Sequence, residues 1–218
     1  MNEEMFQSIA SQLRQPHGEY AIEVGERMNE GNFQINMFTI ETLHAEAGDH
    51  ILEIGGGNGL FVKNILSTSP SIHYTGCDYS EIMIEQAIQR NAAFIKLGQA
   101  RFYNTNAEEL PFDDAQFNKV FSVNTIYFWD KPELILSEVY RVLKPQGKFI
   151  ISLRPKSSMQ YYPFVKYGFC MFTKEDLVNL LSENNFKVTT VLEKEEPPQE
   201  MNGELVKVET LIVCAEKE

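Results

Sequence analysis

The segment Ile51-Leu-Glu-Ile-Gly-Gly-Gly-Asn-Gly-Leu-Phe61 places four glycines, Gly55, Gly56, Gly57 and Gly59, directly after a short apolar run. Glycine takes positive φ freely and carries no Cβ, so this spacing lets the chain turn sharply and brings backbone N–H groups close to a ligand. A tight strand-to-helix turn makes the same demand, and both readings stand at this point. The dinucleotide fingerprint Gly-x-Gly-x-x-Gly is broken: counted from Gly55 its last position is Leu60, and counted from Gly57 it is Val62. A pyrophosphate is therefore disfavoured, which leaves a nucleoside ligand without a diphosphate. Asp78 ends the next apolar run, where a carboxylate can accept both hydrogens of a ribose diol or close the turn before Tyr79-Ser80.

Placing these groups together requires strands that end at one edge. Residues 1–48 carry apolar residues at helical spacing (Met5, Ile9, Leu13; Tyr20, Val24, Met28; Phe33, Met37, Ile40), broken at Pro16, Gly18 and Gly31, which predicts a cap of two or three short helices. From residue 49 to 218 the pattern alternates. Strands are expected at 50–54, 72–77, 101–104, 117–123 and 148–153. Helices are expected from about Asn58 to Leu66, after Ser80 as N-cap, from Pro132 to Leu143 and from Thr173 to Leu181. Two closing β runs, 186–192 and 205–213, are joined by the polar, proline-containing stretch 193–204. This is an α/β domain with a doubly wound, mostly parallel seven-stranded sheet and an antiparallel closing strand.

Four motifs now stand in order: Glu53-x-Gly55-x-Gly57-x-Gly59, Asp78-Tyr-Ser80, Asn106-Ala-Glu-Glu-Leu-Pro-Phe112 and Arg141-Val-Leu-Lys-Pro-Gln-Gly147. Together they resemble the successive motifs of class I S-adenosylmethionine-dependent methyltransferases, within the subgroup of ubiquinone and menaquinone biosynthesis C-methyltransferases and related small-molecule enzymes. The resemblance runs from about Asp49 to Leu153 and implies a Rossmann-like fold with S-adenosylmethionine as cofactor. It implies roles by position. Gly55, Gly56, Gly57 and Asn58 would pass under the methionine part, and Glu53 would tie its ammonium. Asp78 would hold the ribose, Tyr79 would pack near the adenine, Asn106 and the Ala107 N–H would meet the adenine edge, and Asn124 would lie beside the methionine end. Met28 and Asn29 of the cap would close over the cofactor. Glu53 and Asn106 stand where Asp is the commoner residue; the Asn106 carbonyl still accepts from an amino group, without charge assistance.

A sulfonium methyl is already electrophilic, so such an enzyme mainly needs an aligned nucleophile and excluded water. An acceptor that must lose a proton needs a group to take it, and His17, Tyr20 and Tyr127 are the candidates. His17 beside Pro16 and Gly18 also reads as a surface loop residue. Tyr127, Phe128 and Trp129 after the fourth strand, with Tyr161, Tyr162, Phe164, Tyr167, Phe169 and Phe172 after the fifth, suggest a hydrophobic or aromatic small-molecule acceptor, although plain burial draws on the same residues. A noncatalytic cofactor-binding protein, or a protein or RNA methyltransferase, remains open on the same fold.

Charge bears on the acceptor as well. The 218 residues carry 19 Lys plus Arg against 31 Asp plus Glu, a net charge of -12, which disfavours a nucleic-acid partner. Thr125 and Ile126 also break the Pro-Pro pattern of amino-methylating base enzymes, and no cysteine follows a proline. The acidity sits at the ends: residues 1–50 hold nine acids against two bases, and 193–218 hold eight against three. Cys77, Cys170 and Cys214 are too widely spaced for a zinc framework and fit a reducing compartment. The first residues show no leader pattern and no apolar stretch is long enough to span a bilayer, so a cytoplasmic protein without membrane insertion is expected.

Overall fold

The computed structural model describes residues 3–201 and 204–218. Three helices come first, α1 (Glu3–Arg14), α2 (Ala21–Gly31) and α3 (Phe33–Leu43). They are followed by β1 (His50–Ile54), α4 (Val62–Leu66), β2 (His73–Asp78), α5 (Glu81–Arg90), α6 (Ala92–Lys96) and β3 (Ala100–Asn104). Next are β4 (Phe117–Val123), α7 (Pro132–Val142), β5 (Leu143–Leu153), α8 (Lys156–Met159), α9 (Lys174–Glu183), β6 (Phe186–Met201) and β7 (Glu204–Lys217).

The strands form one sheet in the order β3-β2-β1-β4-β5-β7-β6. β1 to β5 pair in parallel, and β7 runs antiparallel between β5 and β6. The order reverses direction between β1 and β4, and the loops leaving their carboxyl ends diverge there to open a crevice. Both faces of the sheet are covered, so its central strands β1 and β4 are buried almost throughout rather than alternating in and out. Leu52 and Ile54 of β1 join a core with α7 and α9 residues such as Leu136, Val139, Leu177 and Leu181. Ile51 joins the opposite core with Ile35 and Leu43 of α3, Val62 and Ile65 of α4, and Tyr74 and Phe121. α3 is also fixed by a buried bond from Thr39 Oγ1 to Ser152 Oγ of β5 at 2.7 Å.

Caps fix where two crossover helices begin. Ser80 Oγ accepts the Met83 N–H of α5 at 3.4 Å. Thr173 and Asp176 satisfy each other's backbone at the start of α9, a reciprocal capping box that spares two otherwise unpaired N–H donors.

Three expectations need correction. The helix after the glycine loop begins at Val62, not Asn58, because Gly55, Gly57 and Gly59 all hold positive φ and keep the chain out of helical geometry. The loop therefore presents turn N–H groups rather than a helix terminus. β5 starts at Leu143, which pairs with Phe117 before a register shift, five residues earlier than its apolar run. The stretch 193–204, expected as a connector, is strand as far as it is described: Glu193 to Glu196 pair with Leu211 to Val208, while Asn202 and Gly203 lie outside the described residues. Pro197 and Pro198 fall within the register shift between Glu196 and Gln199, where a missing N–H interrupts no ladder bond.

Candidate active site

The loops at the carboxyl ends of β1 and β2 are stitched together by main-chain bonds. Gly55 and Gly56 N–H both donate to the Cys77 carbonyl, at 2.8 and 3.1 Å. Asp78 completes the link: Oδ2 accepts from Gly57 N–H at 2.9 Å and Oδ1 from Ser80 N–H at 2.8 Å. Burial pushes the Asp78 carboxyl up, against backbone N–H bonds from Ser80, Gly57 and Tyr79 that favour its anion. Gly55, at φ 76°, is required on two counts, since a Cβ would also sit 2.2 Å from Thr125 Cγ2 of the loop after β4.

Glu53 is buried at the end of β1 and receives the Tyr74 hydroxyl hydrogen bond. Burial raises its carboxyl to about 7; the Tyr74 bond opposes the rise and neighbouring Asp78 adds to it. A carboxyl poised near neutrality in a cavity is a functional-site signature.

The N-terminal helices roof this region through amides. Asn29 donates to Asn58 Oδ1 at 3.1 Å, Asn58 donates to Glu26 at 3.3 Å, and Glu26 pairs with Arg90 of α5 at 2.5 Å. Asn124, at φ 56°, donates to Asn32 Oδ1 at 3.0 Å. Ser80 Oγ donates to the Pro16 carbonyl at 2.6 Å.

Beneath the roof lies one cavity of about 380 Å³. Its first half is lined by the glycine loop, Glu53, Asp78 and Asn106. Its second half is an aromatic wall made from the loop after β4 and the connection between β5 and α9. Phe169 packs on Phe128 at 4.6 Å, on Phe164 at 5.5 Å and on Tyr127 at 5.7 Å, and Phe164 continues to Tyr162 at 5.3 Å between ring centres. The Cys170 N–H bond to the Tyr127 carbonyl, 2.9 Å, ties the two segments together.

Arg154, at the end of β5, braces this half. Its guanidinium forms a two-pronged pair with Glu196 of β6 at 2.9 and 2.7 Å and donates to the Gly31 carbonyl of α2 at 2.6 Å. Thr210 Oγ1 donates to the same glutamate at 2.7 Å. Both side chains of the pair are buried, 9% and 3% exposed, so this is a fully packed strut rather than a surface contact.

All ten residues expected around the cofactor, Glu53, Gly55, Gly56, Gly57, Asn58, Asp78, Tyr79, Asn106, Ala107 and Asn124, line this cavity, with Met28 and Asn29 of the cap. The three base candidates separate. Tyr127 lines the cavity, but its hydroxyl accepts the Arg154 N–H at 2.7 Å and lies 2.8 Å from the Arg154 carbonyl and 3.0 Å from Asn124 Oδ1 as acceptors. Burial pushes it well above the ordinary phenol range, so it is a structural hydroxyl. His17 and Tyr20 are exposed and are not among the lining residues. His17 Nδ1 rests 2.7 Å from the Gln15 carbonyl, because Pro16 turns that loop across Ser80 and carries the histidine outward.

Sequence reasoning passed over Tyr74, Arg154 and the amides Asn32 and Asn36. The available signals were a large tyrosine near the start of the β2 run and an arginine directly after the apolar end of β5.

Comparison with known proteins points the same way. A family described as a methyltransferase domain matches residues 52–151. The uncharacterized methyltransferase YdaC of Bacillus subtilis is 32% identical over 127 residues, covering 58% of this chain and 68% of that protein. A demethylmenaquinone methyltransferase of Symbiobacterium thermophilum is 33% identical over 132 residues, covering 60% of this chain and 51% of that protein. The crystal structure of YcgJ from Bacillus subtilis superposes with a TM-score of 0.70 at 17% identity, over 85% of this chain and 99% of that one. Among the described residues, no helix is long and apolar enough to cross a membrane.

Proposed function

The chain belongs to the class I S-adenosylmethionine-dependent methyltransferases, and from that premise we propose that its cavity carries a methyl group to a small acceptor that is largely apolar or aromatic. The observation that supports this is the division of one cavity into a half of backbone and short polar groups and a half of contiguous aromatic rings.

The polar half fits S-adenosylmethionine. Asp78 keeps its carboxylate at the cavity wall while two backbone donors hold it still, as a ribose diol requires. Glu53 offers a buried carboxylate to an ammonium, and Gly55 leaves the floor free of side chain at a point where a Cβ would already collide with Thr125. Asn106 and the Ala107 backbone N–H offer an acceptor and a donor to an adenine edge. When bound, the cofactor supplies a methyl on a positively charged sulfur, an electrophile that needs no acid catalyst.

The protein's own work is placement and exclusion of water. Met28 and Asn29 cover the cavity from α2, and the aromatic wall confines the acceptor from the other side. Ionised groups in the second half are already matched: Arg154 with Glu196, and Arg14 with Asp130. With the Tyr127 hydroxyl also engaged, the acceptor loses its proton through its own acidity, which favours phenol-like, enol-like, carboxyl or thiol nucleophiles. One relative is named a demethylmenaquinone methyltransferase and another a fatty-acid O-methyltransferase, which supports a small-molecule acceptor.

Transfer of labelled methyl from the cofactor to a panel of quinols, phenols, fatty acids and thiols, beside protein and RNA fractions, tests this reading. Label is expected in organic-extractable small molecules. Label confined to macromolecules, or binding without any transfer, would overturn it.

A further inference from the structure

Tyr74 is 1% exposed, inside the core between the sheet and α3 and α4, yet it carries a hydroxyl that must find a partner. In the pairing of β1 with β2, Tyr74 lies opposite Ile51, and Gly76 lies opposite Glu53. Alternation puts Tyr74, Gly76 and Asp78 on one face of β2, the face shared by Ile51 and Glu53. Gly76 leaves open the space beside Glu53 that a side chain would fill, and a Cβ there would come within 3.0 Å of both the Tyr74 ring and its hydroxyl. A Cβ on Gly56, in the loop above, would come within 3.2 Å of the same hydroxyl and 3.4 Å of the Glu53 carboxylate. The ring thus runs along β2 through the gap at Gly76, and its hydroxyl ends beneath Gly56, donating to Glu53 Oε2. A phenylalanine would fill that volume equally well; packing gives no reason for the oxygen.

We propose that Tyr74 is a positioning residue for cofactor capture: its hydroxyl holds the Glu53 carboxylate charged and fixed at the cavity, so that the cofactor's ammonium meets a preset anion. This rests on the role given to Glu53 above. The groups facing Glu53 leave the task to Tyr74. On β2 the other neighbours are Asp78, whose charge opposes ionisation, and the Cys77 thiol, which burial pushes above its ordinary range. On β4 the registered neighbour is Phe121. From the N-terminal helices the cavity receives the neutral amides of Asn29, Asn32 and Asn36, and the Glu26–Arg90 pair lies outside Asn58. Tyr74 is therefore the neighbour that favours the anion before a cation arrives. Below about pH 7 the cofactor must expel a proton from Glu53 to bind; without the hydroxyl, that threshold moves upward.

Calorimetry with S-adenosylhomocysteine between pH 5.5 and 8.5, on wild type, Tyr74→Phe, Glu53→Gln and the double variant, tests this. Wild-type affinity is expected to fall almost tenfold per unit below about pH 7. In Tyr74→Phe the break should lie about one unit higher, giving about fivefold weaker binding at pH 7, about tenfold weaker binding below pH 6 and convergence with wild type near pH 8.5. Glu53→Gln should show no break, and Tyr74→Phe should add almost nothing in that background. Incorporation of 3-fluorotyrosine at position 74, a stronger donor of nearly the same shape, should move the break downward and covers the case in which phenylalanine disturbs folding. An unmoved break, or a Tyr74→Phe effect that persists beside Glu53→Gln, would overturn the proposal. No acceptor is present in these measurements. Failure of the acceptor screen therefore leaves a shifted break standing, and an unshifted break leaves the acceptor reading standing.

Discussion

The two halves of the cavity are built in opposite ways. The cofactor half is made from consecutive residues at two strand ends: Gly55 to Asn58 follow β1 directly, and Asp78 ends β2 with Tyr79 and Ser80 after it, locked by N–H bonds within and between the loops. The acceptor half is made from side chains far apart in sequence: Arg154 reaches Glu196 and Gly31, Tyr162 reaches Gln199 at 2.6 Å, and Phe128 meets Phe169 edge to face. The cofactor half resists substitution because its backbone shape depends on glycine: Gly55 and Gly57 hold positive φ, and a Cβ on Gly55 would collide with Thr125. A wall of side chains can be replaced one ring at a time, so the half that reads the acceptor is free to vary while the half that reads the cofactor is not.

That contrast can be broken experimentally, starting with the largest effect. Arg154→Ala leaves Glu196 charged and buried without its partner, and should cost about 3–5 kcal/mol of stability in denaturant unfolding. Replacing both members by Met and Leu should recover most of the loss. A local defect of less than about 1 kcal/mol would show that the strut is not what holds the acceptor half in place.

Glu53 makes ligand-free stability depend on pH. Its folded carboxyl titrates at about 7 against a reference of 4.5, so its contribution is complete below pH 4.5 and is lost as pH rises through 7. The difference is about 3 kcal/mol. The stability of Glu53→Gln relative to wild type should therefore grow by that amount between pH 4.5 and 7.5 and then level off. A pH-independent difference would place the Glu53 carboxyl in an ordinary environment.

Asp78→Ala should weaken S-adenosylhomocysteine binding by about 2 kcal/mol, roughly thirtyfold, the range for hydrogen bonds to a charged group, with the acceptor KM little changed. Phe169→Ala should do the reverse, lowering kcat/KM for an aromatic acceptor about tenfold, the effect of losing one or two ring contacts, with cofactor affinity unchanged. If both constants moved together in either variant, the two halves would be one coupled site. At the bottom of the scale, His17→Ala and Tyr20→Ala should leave transfer rates within about twofold and stability within about 0.5 kcal/mol, as suits exposed residues outside the cavity.

How much could be read before the structure follows the same division. The glycine loop, Asp78 and the alternation of strands and helices are local: strand ends, turns and carboxylates lie within a few residues of each other, so spacing alone reports them. The pairing of Tyr74 with Glu53 spans 21 residues and that of Arg154 with Glu196 spans 42; no periodicity carries such information. β6 and β7 looked short because charged and proline residues mask a strand whose bulge accommodates them. His17 carried the right chemistry for a base, but its direction depends on how Pro16 seats against Ser80, a tertiary contact.

The roof itself is unevenly attached. α3 buries Ile35, Asn36, Thr39 and Leu43, whereas α2 buries Ala21 and Gly25, and α1 buries only Ala10. Opening free energy follows buried contact, so amide hydrogen exchange should divide this segment near Asn32, fast through α1, intermediate in α2 and slow along α3. The same gradient makes α3, bonded to Ser152, the anchored end of the roof, and leaves the amide bridge from Asn29 to Asn58 on its more weakly held span.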